Sequence, residues 1–175
     1  MEEKLTLDLE TLEFANLMTA LKDYAEEVRS LYRRKLIEDD KYASGKLIRD
    51  MKTNVKAFGT EFTVYLYLVD YWKYVEEGRA PGKKWPPRDK ILEWIKIKPI
   101  EPEKKDGKKL PTPEQLAFLI QRKIGVEGIE AGHQLRDTVE SINSYWIPQL
   151  QAALQQDFDV YTIKVFKAAE KLIKI

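Results

Sequence analysis

Leu47-Ile-Arg-Asp-Met-Lys-Thr-Asn-Val-Lys-Ala-Phe-Gly-Thr-Glu-Phe-Thr-Val-Tyr-Leu-Tyr-Leu-Val69 is the stretch on which the fold turns. Its first half sets Leu47, Met51, Thr53, Val55 and Ala57 against Asp50, Lys52, Asn54 and Lys56. Alternation with a period of two marks a strand with one face towards a core, because successive side chains point to opposite faces. Residues 47–57 are therefore predicted as a strand and Phe58-Gly59-Thr60 as a turn. Residues 61–69, dense in β-branched and aromatic side chains, follow as the second strand of an antiparallel hairpin. An isolated hairpin is barely stable in water, so Phe62, Val64, Leu66 and Leu68 need cover. Tyr65, Tyr67 and Val69 face the other way, to solvent or to another subunit, and the outer edges of such a sheet have no strand to pair with.

The cover comes from upstream. Between Leu12 and about Ile37, Phe14, Leu17, Leu21, Tyr24, Val28 and Leu31 recur at spacings of 3, 4, 3, 4 and 3, one stripe of a long helix. Glu38-Asp-Asp40, with Ser44-Gly45 beyond, marks its end. After the hairpin, residues 70–77 read as a short helix and Gly78 to Pro87 as a rigid loop of glycines and prolines. Arg88 to Ile97 read as a helix with Ile91, Trp94 and Ile95 on one side. Residues 98–112 are charged, proline-bearing and aperiodic, a surface loop. Thr112-Pro113 then opens a helix as N-cap and first residue, with Leu116, Leu119, Ile120 and Ile124 inward and Gly125 and Gly128 at its end. A further helix starts at Gln134 with Leu135, Val139, Ile142, Trp146, Leu150 and Leu154 as its stripe. Pro148 predicts a kink or restart in it, and Val160, Ile163, Phe166, Ala169 and Ile173 carry helical spacing to the end. The expected fold is thus α+β in a single domain, residues 1–175: a long N-terminal helix on an antiparallel hairpin or small sheet, then several helices, with an extended helical region over 137–175.

Composition removes whole classes of chemistry. The 175 residues include no cysteine, which excludes thiol catalysis, disulfides and thiolate metal sites. His133 is the only histidine, so a Ser-His-Asp triad would have to run through it, and one chain cannot build a multi-histidine metal site. The net charge of +1 is a cancellation. Residues 1–40 hold six bases and eleven acids, residues 41–110 seventeen and ten, and residues 111–175 seven and eight. Such polarity suits stacked subunits, and equally suits charges on separate solvated faces. Met1-Glu-Glu-Lys4 is not a basic region leading into an apolar run, and no apolar stretch approaches about 18 residues, so neither export nor a membrane span is expected.

No catalytic constellation emerges. Glu76 and Glu77 are neighbours and would point about 100° apart on a helix, not form a carboxylate pair. His133, between Gly132 and Gln134, reads as a capping or packing residue at a helix start. Gly125-Val-Glu-Gly128 follows a helix instead of leading one, so it reads as a helix stop and not as a phosphate loop. The stretch from Arg79 to Lys109 holds eleven bases and five acids with Trp85 and Trp94 interleaved, the composition of a nucleic-acid surface without a recognised fold signature. Neither a cofactor nor a metal is called for, and no enzymatic activity is expected.

The run Tyr71-Trp-Lys-Tyr-Val-Glu-Glu-Gly-Arg-Ala-Pro-Gly-Lys-Lys-Trp-Pro-Pro-Arg-Asp-Lys-Ile-Leu-Glu-Trp-Ile95 resembles the tail-completion, or neck, proteins of tailed bacteriophages. The positions that carry the resemblance are Tyr74, Val75, Glu76, Gly78, Pro81, Gly82, Pro86, Pro87, Ile91, Trp94 and Ile95. Downstream, Ala117-Phe-Leu-Ile-Gln-Arg-Lys-Ile124 and Gly128-Ile129 are similar to the family's alanine-rich helix and Gly-Ile element, so the family-like core covers residues 12–136. The chain departs from the pattern in the charged loop at 98–112, in His133-Gln-Leu where the family has an Arg-Pro-Phe-like element, and in its C-terminal extension. The resemblance implies a structural virion protein at the head–tail junction, a neck, connector or tail-completion ring around the DNA channel. Its implied partners are copies of itself and other neck, portal or tail proteins, with non-specific contact to genomic DNA in the channel and no membrane. In that setting the hairpin edges and the long helix would make lateral ring contacts, the Gly78–Pro87 loop would fix the helix at 88–97, and the 98–112 loop and C-terminus would dock adjacent layers. The alternative is a DNA-associated binding module using the basic 79–109 surface.

Overall fold

The computed structural model describes residues 13–41, 45–98 and 110–173. In chain order they form α1 (Ala15–Glu38), α2 (Lys46–Arg49), β1 (Lys52–Phe58), β2 (Glu61–Tyr67), α3 (Trp72–Glu76), α4 (Arg88–Ile97), α5 (Pro113–Glu127) and α6 (Gln134–Ile173). The fold is α+β, a long N-terminal helix, a two-stranded antiparallel hairpin, then several helices ending in a long one. The chain divides into two compact units. One holds residues up to Ser30, Lys52–Tyr67 and the chain from Val139 onward, and the other holds Leu31–Met51 and Leu68–Thr138. No helix among the described residues is long and apolar enough to cross a membrane.

The first unit is built on the hairpin. β1 and β2 pair from Lys52↔Tyr67 to Phe58↔Glu61, so the turn is the two residues Gly59 and Thr60, and Phe58 belongs to the strand. Gly59, at φ 58°, takes the first central position, where glycine adopts positive φ without strain. As expected, Phe62, Val64 and Leu66 are partly covered while Tyr65 and Tyr67 are exposed. The strands are shorter than the alternation predicts. Leu47 and Met51, both 2% exposed, lie four residues apart, and one turn of helix at α2 brings them to the same side. β2 ends at Tyr67, and the Val69 carbonyl instead accepts the N–H of Trp72 at the start of α3.

Helix α1 gives this unit Leu17, Ala25 and Val28, which are buried, as are Val55, Ile142, Trp146 and Ala153. The buried stripe of α1 continues through Tyr32 and Leu36, not through Leu31 as the 3-4-3-4 spacing predicts. That spacing averages 3.5 residues, a straight helix turns every 3.6, and the mismatch drifts by about 20° per heptad until the next position faces inward. Phe14 stands edge-on to Phe62 at 5.0 Å and to Phe158 at 6.4 Å. Tyr24 meets Trp146 edge-on at 5.8 Å and donates its hydroxyl to Asn143 Oδ1 at 3.2 Å, and burial raises its pKa. The Trp146 indole N–H donates to Glu27 Oε2 at 2.7 Å. Asp157, buried on α6, accepts the backbone N–H groups of Asn16 and Leu17 at 3.0 and 2.9 Å and the Asn16 amide at 2.8 Å. It caps α1, whose own first turn contains no acidic residue, so a charge supplied from α6 satisfies donors that a helix start leaves without intrahelical partners.

The second unit buries Tyr32, Leu36, Leu47, Met51, Ile91, Ala117 and Thr138. α4 packs along α5. α5 begins as the sequence predicts, with Thr112 and Gln115 forming a reciprocal capping box and Pro113 at the first position. Its inward face differs, however: Ala117 is buried and Leu119 is exposed. Residues two apart on a helix lie about 200° apart, so a face set by Ala117, Ile120 and Ile124 turns Leu119 outward. Gly125 lies inside α5, and Gly128 alone terminates it. Only Lys98 and Leu110–Thr112 of the expected 98–112 loop fall within the described residues.

Helix α6 runs unbroken for 40 residues with Pro148 inside it, so of the expected kink or restart the restart does not occur. The ring nitrogen has no N–H for the Ser144 carbonyl, one lost bond in a ladder that both flanks continue. The buried positions Gln134, Thr138, Ile142, Trp146, Ala153 and Asp157 replace the expected stripe from Leu135 to Leu154 except at Ile142 and Trp146. Val160, Ile163 and Phe166, whose spacing predicts a helix, lie in α6 and are exposed.

Candidate functional site

The sequence positions singled out between Tyr74 and Ile95 all fall in the second unit, on α3, α4 and the loop joining them. That loop has no regular structure of its own, and its path is set by ties to the end of α5 and the start of α6. Arg79 and Ile129 exchange both backbone hydrogen bonds, at 2.7 and 2.8 Å. Gly82 N–H donates to the Gly125 carbonyl at 2.9 Å, and the Gln121 side chain donates to the Pro86 carbonyl at 2.7 Å. Arg79 donates to the Lys84 carbonyl and Arg88 to the Glu114 carbonyl. Pro87, with extended ψ, precedes the first residue of α4, and Pro81 is exposed.

Two glycines flank the Arg79–Ile129 bridge because backbones pass too closely for a side chain. A Cβ on Gly78 (φ 68°) would lie 2.3 Å from the Ile129 carbonyl oxygen, and one on Gly128 (φ 82°) 2.2 Å from that of Arg79. Gly125 serves a different purpose: its missing Cβ leaves room for the Trp85 ring, which a methyl would approach to 2.4 Å.

Glu76 closes the assembly. Its carboxylate is buried and accepts the Leu135 N–H at Oε2 and the Arg136 N–H at Oε1, both at 2.9 Å, while its carbonyl accepts the His133 N–H at 3.1 Å. Glu76 therefore caps α6 from outside that helix. The Val75 carbonyl accepts the Gly132 N–H at 3.1 Å. Tyr32 lies near enough to feel the Glu76 charge: burial foremost, and that charge second, hold its phenol well above the usual tyrosine range. Its hydroxyl has no hydrogen-bond partner among the described residues.

Three further motif side chains face a groove of about 650 Å³. Tyr74, Val75 and Trp94 line it together with Leu47, Tyr71 and Ile97. The Tyr71 hydroxyl accepts the Leu47 N–H at 3.0 Å. Charged side chains on the rim pair with each other, Lys90 with Glu93 at 3.0 Å and Lys98 with Asp40. Of the three residues that the sequence sets on one side of α4, Trp94 belongs to the groove, Ile91 is buried and Ile95 half-buried. Chemically the groove presents aromatic surface rimmed by those two ion pairs and by Lys41.

The structure therefore divides the motif: Ile91 and Ile95 pack inward to different depths, Pro81 is exposed, and the other positions fall into two sets. Glu76, Gly78, Gly82, Pro86 and Pro87 hold the backbone, and Tyr74, Val75 and Trp94 face the groove. Leu47, Tyr71 and Ile97 were missed as groove residues, although Tyr71 and Ile97 bracket the motif. His133, with φ 55°, stands at the boundary of α6, where its carbonyl accepts the Asp137 N–H at 2.9 Å. Among the described residues no three His, Asp or Glu side chains gather into a metal-holding group. No protein-family model, curated protein or solved structure matches this chain.

Proposed function

We propose that this protein is a structural component of a tailed-bacteriophage virion that forms an oligomeric ring at the head–tail junction, as a neck, connector or tail-completion protein around the DNA channel. The observation that carries the reading is the ordered run from Tyr74 to Ile95, which resembles that family and whose folded roles are mechanical. Its glycines and prolines shape a loop tied to α5 and α6, its glutamate caps a helix, and its aromatics form an exposed groove. The hairpin adds support, since neither β1 nor β2 pairs outward with another described strand. Lateral ring contacts then use the hairpin edges and α1, and other neck, portal or tail proteins meet the ring layers.

Two measurements test this. Mass determination of the purified protein across concentration is expected to give a closed oligomer, alone or after addition of the portal or tail partner. Peptides of the chain are expected in purified virions, and their absence there overturns the reading. The DNA-associated module draws less support, because Arg79, Arg88, Lys90 and Lys98 are each engaged by an acceptor within the chain. Tight, steeply salt-dependent binding of the isolated chain to duplex DNA would favour it instead.

A further inference from the structure

The two edges of the hairpin are chemically unlike, and the difference points to how they are used. In a two-residue hairpin the pair closing the turn, here Phe58 and Glu61, exchanges both backbone hydrogen bonds, and the bonded pairs then alternate along the ladder. By that alternation, Thr53, Val55 and Ala57 turn their N–H and C=O groups outward from β1, as do Phe62, Val64 and Leu66 from β2. β1 carries Lys52 and Lys56, the side chains with which natural sheets guard an edge. β2 reads Glu-Phe-Thr-Val-Tyr-Leu-Tyr, with no lysine, proline or glycine. Its solvent face bears a stacked pair, Tyr65 and Tyr67, with ring centroids 6.0 Å apart.

We propose that the β2 edge of one copy receives the β1 edge of the next, head to tail, so that the hairpins join into one continuous antiparallel sheet. This rests on the ring reading above and names its lateral contact. Repetition of the hairpin's own register sets Phe62, Val64 and Leu66 opposite the next copy's Ala57, Val55 and Thr53. Those six side chains then share the inner face. On the outer face the next copy's Lys52 falls opposite Tyr67 and diagonal to Tyr65, and its Lys56 falls on the other diagonal of Tyr65. The hairpin already contains that diagonal contact, with Lys56 Nζ 5.4 Å from the Tyr65 ring centroid. Two β1 edges meeting about Val55 would instead bring Lys56 diagonal to both lysines of the other copy, a like-charge arrangement that disfavours pairing.

Because the chain has no cysteine, single cysteines report the contact cleanly. Phe58→Cys and Glu61→Cys chains are prepared separately, mixed and oxidised, while the mass of the wild-type protein is measured in parallel. The proposal expects at least about tenfold more mixed disulfide dimer than either chain gives alone, since the bond requires Cβ atoms within roughly 4.5 Å. Tyr65→Lys, which guards β2 as β1 is guarded, is expected to weaken assembly about tenfold or more, and Tyr65→Phe to preserve it. Assembly of the wild type without the mixed dimer overturns the edge assignment and leaves the ring standing. The mixed dimer with open chains and no closed ring upholds the edge assignment and overturns the ring. A chain that neither assembles, alone or with portal or tail partner, nor cross-links overturns both.

Discussion

Two turns of this molecule both depend on a glycine at positive φ, yet they belong to different kinds of structure. At Gly59 the hairpin reverses in open space, with no atom within 4 Å of where a Cβ would stand. At Gly78 a similar positive φ is wedged against Ile129, Glu130 and Ala131. The first turn is local and answers only to the two strands it joins. The second is a junction where α3, the loop and the segment between α5 and α6 are fixed together, so its residues carry long-range structure.

Substitutions separate these cases. Gly78→Ala is expected to cost about 3 kcal/mol or more, from the left-handed backbone and the contact with the Ile129 carbonyl together, and denaturant unfolding measures it. A cost near 1 kcal/mol would show the junction to be as pliable as the hairpin. Next in size, Glu76→Gln and Asp157→Asn each weaken a charged cap that accepts two backbone N–H groups, with an expected loss of about 2–3 kcal/mol apiece. Exchange of the Leu135 and Arg136 amides should quicken in the first variant, and that of Asn16 and Leu17 in the second.

The junction also has a loose end in Tyr32, whose buried hydroxyl lacks a partner among the described residues. Tyr32→Phe is expected to raise stability by about 1 kcal/mol at neutral pH. Because the folded pKa lies above the ordinary 10.0, the wild type keeps its full stability below that pH and loses it as pH rises further. A phenyl ring in place of the phenol does not titrate, so the alkaline loss should shrink in that variant, and unfolding curves at pH 8 and 11 decide it. Gly59→Ala should cost only about 1 kcal/mol, the price of the left-handed backbone alone.

The smallest effect concerns Glu26, whose carboxyl is held below its ordinary 4.5 by the Thr53 hydroxyl first and by Arg29 after it. Its contribution is present above pH 4.5 and lost as pH falls through the folded value, and exposure limits it to a few tenths of a kcal/mol. Thr53→Val should remove most of that acid-side slope.

Much of this architecture is legible from local signals. Pro87 and the Lys98-Pro99 step delimit α4, Thr112-Pro113 opens α5, and alternation around Gly59 announces the hairpin. Leu47 and Met51 mislead because positions four apart satisfy both a strand face and a helix face. The capping carboxylates give no local sign at all: Glu76 serves residues 59 and 60 positions away, and Asp157 serves residues 140 and 141 positions away. The groove was half visible, since its motif residues could be named while the direction of Trp94 followed only from the packing of Ile91.

The Asp157 cap also orders events in time. On a ribosome adding 5–20 residues per second, roughly 7–28 s separate the synthesis of Asn16 from that of the carboxylate that secures it, 141 residues later. Until then the start of α1 and its apolar stripe wait uncapped, whereas the hairpin, complete within 16 residues, can close on the microsecond scale. The first unit therefore finishes last although it contains the first helix, and a nascent chain stalled before Asp157 should hold α1 in a form that proteases cut readily.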